Sequence, residues 1–382
     1  MTAAGARRRF GVALAVLLST APLAARETPR AIPAPSAVPV PSIETGELDG
    51  AAYRIDIPAD WNRGLVVFFH GYAAEPVRFR DAERLSPILE PAFAQGFAVI
   101  QSAYSRTGWA VEQAAAETEA LRRRFITRHG APKQTFAVGL SMGGLLTAMA
   151  LETKPAAYDG GLSLCGVLAP ADRLLNRGFA LRAAFDHYFP DLLGPLVPVP
   201  DDYRSTGAVQ ARIAAALESD PKAHAALRAV NGAGDERSLP GVIAFAGEIV
   251  KELQRRTGGN PFANADLVYA GTGDDVALND GVKRYRADPK AAAYLARWYT
   301  PSGRLAGPLL ALHNVGDPLV SASTAFEYSQ AAQRAGSADR FVQQYADAQA
   351  HCAFTPEQVG RAFGELRAWV REGRRPSPGR PR

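Results

Sequence analysis

Residues 135–152 carry the feature that most constrains this chain. A short apolar run, TFAV, ends in Gly139-Leu140-Ser141-Met142-Gly143 and passes without a break into GLLTAMALE. The run reads as a buried strand and residues 142–152 as a helix. A strand that turns at once into a helix forces two backbones together, so only small residues fit around Ser141. The turn lifts the hydroxyl above the end of the strand and aims a helix N-terminus at it. G-x-S-x-G alone is a common pattern; the strand before it and the helix after it point to an activated serine. The competing reading is a Gly/Ser-rich turn with no chemistry.

Strand and helix patterns alternate around this turn. Residues 50–58, 64–72, 97–105, 161–170, 307–317 and 340–347 read as strands, most of them continuous apolar runs. Residues 82–95, 111–129, 323–335 and 356–371 read as helices. The expected class is α/β: a mostly parallel twisted sheet with helices on both faces, because strands buried on two sides lack polar alternation. The alternation stops over 171–300, where helical segments are broken by Pro and Gly. A mainly helical insertion between two late strands is expected there.

The ends differ from the middle. Five Arg against one Glu in residues 1–30, and the same balance in residues 371–382, leave a net charge of −3 between them although the whole chain carries +5. A folded domain that near neutrality has no electrostatic footprint for nucleic acid. Residues 1–25, with Arg7 to Arg9 before an apolar stretch too short to span a bilayer, read as an export signal, and the protein is expected in the periplasm or outside the cell. A twin-arginine signal is the alternative to an ordinary one. Residues 26–44 read as a Pro-rich linker, and 373–382 as a disordered basic tail. No membrane anchor is suggested, and oligomeric state is not legible.

HGY at 70–72, GLSMGG at 139–144, GDPLV at 316–320 and AHC at 350–352 together resemble the α/β-hydrolase superfamily, over residues 45–170 and 305–372. The resemblance implies a core in two parts, 45–170 and 301–372, interrupted by a cap or lid over 171–300. It implies Ser141 as nucleophile and His351 as base, the one histidine after the last strand and before the final helix. It implies Asp317 as the acid, with Asp172 as the alternative position. It implies an oxyanion hole from the backbone N–H groups of Tyr72 and Met142, with His70 in a structural role. Cys165 and Cys352 would then lie on one sheet edge. In an exported protein that suggests a disulfide, a device resembling that of secreted tannase-like and feruloyl-esterase-like enzymes in logic only; two buried free thiols are the alternative.

Phe185, Tyr188, Phe189 and residues 192–196 are candidates to line an apolar pocket beneath the lid, or else helix core. Asp274-Asp275 reads as a solvated turn. No His/Cys metal spacing, phosphate loop or dinucleotide fingerprint appears, so neither a metal nor a cofactor is expected. Three readings follow. The first is an esterase acting through an acyl-enzyme on a small-molecule or polymeric ester. The second is a prolyl- or aminopeptidase-type serine peptidase, and the third a catalytically dead binding protein.

Overall fold

The computed structural model describes residues 41–381 apart from residues 81 and 233. The export segment and nearly all of the Pro-rich stretch lie outside the described residues. Within them, eight strands form one sheet: β1 (Ser42–Leu48), β2 (Ala51–Ile57), β3 (Gly64–Phe69), β4 (Phe97–Ser102), β5 (Gln134–Leu140), β6 (Gly160–Leu164), β7 (Leu309–Asn314) and β8 (Phe341–Ala346). Their spatial order is β1-β2-β4-β3-β5-β6-β7-β8. β2 is antiparallel to β1 and β4, and all later pairs are parallel. Every residue of β3, β4, β6 and β7 is buried, which explains their unbroken apolar runs.

The helices are α1 (Glu90–Phe93), α2 (Val111–His129), α3 (Met142–Thr153), α4 (Ala171–Tyr188), α5 (Gly207–Ser219), α6 (Pro221–Asn231), α7 (Leu239–Thr257), α8 (Asp275–Gly281), α9 (Pro289–Arg297), α10 (Ser323–Arg334) and α11 (Pro356–Glu372). Successive strand residues point to opposite faces. Leu65, Val67 and Phe69 of β3 join one core with Met142, Leu145 and the helices of the insertion. Val66 and Phe68 join the other, with Phe136, Phe363 and Leu366 under α11. α4 to α9 fill the chain between β6 and β7, with α4 and α7 packed against each other at their centre. No helix among the described residues is long and apolar enough to cross a membrane.

Three expectations are corrected. The linker does not run to residue 44, because β1 begins at Ser42 and turns into β2 through Asp49 and Gly50 at φ 53° and 82°. That is the Asp-Gly signature of a two-residue hairpin, and the strand was readable from it. The helix at 82–95 shrinks to α1: Pro87 and Pro91 each remove a backbone donor and crowd the preceding turn. The basic tail is docked, not disordered. Gly379 N–H donates to Gln343 O at 3.0 Å, and Tyr345 N–H donates to Gly379 O at 3.0 Å. Arg375 reaches Phe341 O at 2.8 Å, and Arg380 pairs with Asp347 at 3.1 Å. β8 is an edge strand, and its free backbone groups hold the returning chain.

Candidate active site

The site is assembled at the C-terminal ends of the parallel strands. Ser141 stands between β5 and α3 with φ 55° and ψ −119°, the strained turn that the small neighbours allow. A Cβ on Gly139 would lie 2.1 Å from Gly143 O, and one on Gly143 1.9 Å from Phe69 O. No side chain fits at either place. The loop after β3 passes against the same turn, since a Cβ on Gly71 would lie 3.3 Å from Ser141 Cβ. Tyr72 follows on that loop. Met142 is the first residue of α3, where the backbone N–H has no intrahelical acceptor.

His351, in the loop after β8, lies with Nε2 2.9 Å from Ser141 Oγ and Nδ1 2.6 Å from Asp317 Oδ2. Asp317 follows β7 and is fully buried. Its Oδ1 accepts the N–H groups of Leu319 and Val320, both at 2.9 Å. Burial pushes this carboxyl up, but His313 Nε2 at 3.6 Å, the hydrogen bond from His351, the charge His351 takes on when protonated and the Val320 N–H outweigh it and hold it at about 2. An ionised carboxylate only accepts, so Nδ1 of His351 carries the proton and Nε2 is left to accept from the serine hydroxyl. Asp172 is exposed at the start of α4.

A folded-state pKa below the ordinary carboxyl value means stability is present above that value and lost as pH falls through the folded one. Between about pH 4 and pH 2 protonation of Asp317 is expected to remove about 2 kcal/mol. Urea unfolding midpoints of the wild type and Asp317→Asn, compared across that window, check it: the wild-type curve should fall more steeply.

Cys165 directly follows β6, Cys352 directly follows His351, and the two are bonded, with Cα atoms 5.3 Å apart and 187 residues of separation. Cys352 Sγ is 3.4 Å from His351 Nε2. These are the three neighbouring soft donors of the site, but both sulfurs are spent in the bond and neither is a thiolate for a metal. A second clamp escaped the sequence reading. The buried Asn314, at the end of β7, donates to Ala353 O at 3.1 Å and accepts from Ala353 N–H at 3.0 Å. The partners of His70 lie outside the triad. Its Nδ1 bonds Gly71 O at 2.7 Å, and its ring stacks on Tyr104 at 3.8 Å. The Tyr104 hydroxyl donates to His70 O at 3.2 Å, so the pair holds the loop that carries Tyr72. Burial lowers the His70 pKa and favours the neutral ring.

Ser141 opens into a cavity of about 80 Å³ whose walls include Val167, Leu174, Leu175, Val242 and Ile249. Phe185, Phe189 and Leu196 pack in the helical core instead, and none of the aromatic segment expected at the pocket lines it. Asp275 accepts from Gly271 and Thr272 N–H in a turn, and Asp274 pairs with Lys222.

The sheet order, the strained serine turn after β5, the acid after β7 and the histidine after β8 define the class: the chain has the α/β-hydrolase fold. More particularly, residues 48–176 match the model of a tannase-like family of unknown function (DUF6351). That stretch holds Tyr72, Ser141 and Cys165 and stops before Asp317 and His351. No curated protein matches the chain. Among solved structures it is similar to feruloyl esterase B from Aspergillus oryzae, at 14% identity and TM-score 0.45 over 86% of this chain and 80% of that one. It is also similar to the Pyrococcus furiosus esterase Pf2001, at 13% identity and TM-score 0.44 over 86% and 91%. A third, the Pyrococcus horikoshii acylaminoacyl peptidase, shows 9% identity and TM-score 0.44, covered over 87% of this chain and only 42% of the peptidase.

Proposed function

We propose that this protein is an exported serine hydrolase that cleaves carboxylic esters through an acyl-enzyme. The observation that carries the reading is the continuous hydrogen-bonded line from Ser141 Oγ through His351 to Asp317, at 2.9 and 2.6 Å. Nε2 takes the hydroxyl proton as Oγ attacks the ester carbonyl carbon. Asp317 holds the imidazole in the required tautomer and stabilises the imidazolium. Negative charge gathers on the former carbonyl oxygen, facing the N–H groups of Tyr72 and Met142; losing one such donor typically costs about 3–4 kcal/mol. The imidazolium returns its proton to the leaving alcohol. Water then attacks the acyl-Ser141 ester, with His351 again the base, and the acid is released. The disulfide fits an oxidising compartment, which supports export.

Ester is favoured over peptide chemistry by the inner cavity. Among the described residues its one charged lining residue is Arg177, a cation, and none of them brings a carboxylate to hold a free amino terminus. Nitrophenyl butyrate is therefore expected to be hydrolysed and aminoacyl anilides left intact. Turnover of the anilides at comparable rates would move the protein to the peptidases.

A further inference from the structure

α7 divides two spaces. Val242, Ala246 and Ile249 recur at i, i+4 and i+7 and line the inner cavity beside Ser141. Glu248, Glu252 and Arg255 recur on the adjoining face and line a separate outer groove of about 1220 Å³. Phe245 lies on the boundary between these faces and lines both. Its ring stands edge-on to Tyr72, with centroids 5.3 Å apart and planes at 85°, and Tyr72 likewise lines both. The aromatic pair is thus the wall between the two spaces.

The spaces suit different chemistry. The inner one is small and mainly apolar. The outer one is far larger and carries Arg106, Arg204, Glu75 and Glu112 together with the charged face of α7. Within the hydrolase reading just given, on which this inference rests, the alcohol leaves before water attacks, while the acyl group stays bound. The large groove, which meets the cavity at the Tyr72–Phe245 wall, suits the alcohol, and the small apolar space suits the acyl group. Tyr72 is tied to the oxyanion loop, so Phe245 is the half of the wall that can vary.

We infer that Phe245, seated on Tyr72, is the specificity-determining residue that ends the acyl cavity, and that the substrate class is an ester joining a compact apolar acyl group to a bulky hydrogen-bonding alcohol. The test is a series of nitrophenyl esters from acetate to decanoate with the wild type, Phe245→Ala and Phe245→Leu. The wild type should fall off beyond butyrate. Phe245→Ala should raise the octanoate-to-acetate ratio of kcat/KM by about tenfold or more, mainly through KM, with Phe245→Leu between the two. A ratio unchanged in both variants, or an equal loss along the whole series, overturns the assignment. Wild-type hydrolysis that persists in Ser141→Ala would overturn the hydrolase reading itself, a result separate from an unchanged ratio.

Discussion

Ser141→Ala should lower kcat for nitrophenyl butyrate by about ten-thousand-fold to a million-fold while the protein stays folded. The size follows from how the groups act. His351 and Asp317 only matter through the hydroxyl they activate, so removing that oxygen cancels all three contributions together. What remains is binding and the N–H pair of Tyr72 and Met142. The fold should tolerate the change, because the hydroxyl bonds His351 and no backbone group of the elbow, and Ala keeps the same Cβ at φ 55°. A melting temperature within a few degrees of the wild type, with turnover near background, is the expected pair of readings. Activity retained above a tenth of the wild type would mean another nucleophile.

Removing the disulfide in a Cys165→Ser, Cys352→Ser double variant should cost both stability and rate. Chain entropy for the closed loop of 187 residues gives about 5 kcal/mol as an upper figure. The rate effect is separate. The bond holds the residue after His351 against the strand beside the nucleophile, and a displacement of about 1 Å at a reacting group typically costs about a hundredfold. Asn314 still grips Ala353 in that variant, so the loop loses one of two clamps and some activity should survive. Urea midpoints measure the first effect. The second is kcat measured well below the melting temperature of the variant. Unchanged kcat with lowered stability would make the bond a staple with no part in aligning the imidazole.

The catalytic edge was legible because each piece is announced locally. The glycines around Ser141 are demanded because a Cβ there would lie about 2 Å from a backbone oxygen. Asp317 and His351 stand where apolar runs end. What was not legible depends on packing between distant elements. The amphipathic pattern of α7 says that one face is buried, but not that Val242 and Ile249 look into a cavity while Phe185 of α4 looks into the core. The arginines of the tail read as solvated charge because nothing near them in sequence shows that β8 has an unpaired edge. The first strand is masked for a smaller reason: Asp49-Gly50 is a hairpin signal, but the prolines upstream have the composition of a linker.

The docked tail has a practical reach. Gly379 is bonded to β8 on both sides and Arg380 pairs with Asp347, four residues before His351, so a force on the last residues acts on the strand that leads to the base. Beads or surfaces coupled through those residues would therefore pull on the chain that leads to the reacting imidazole.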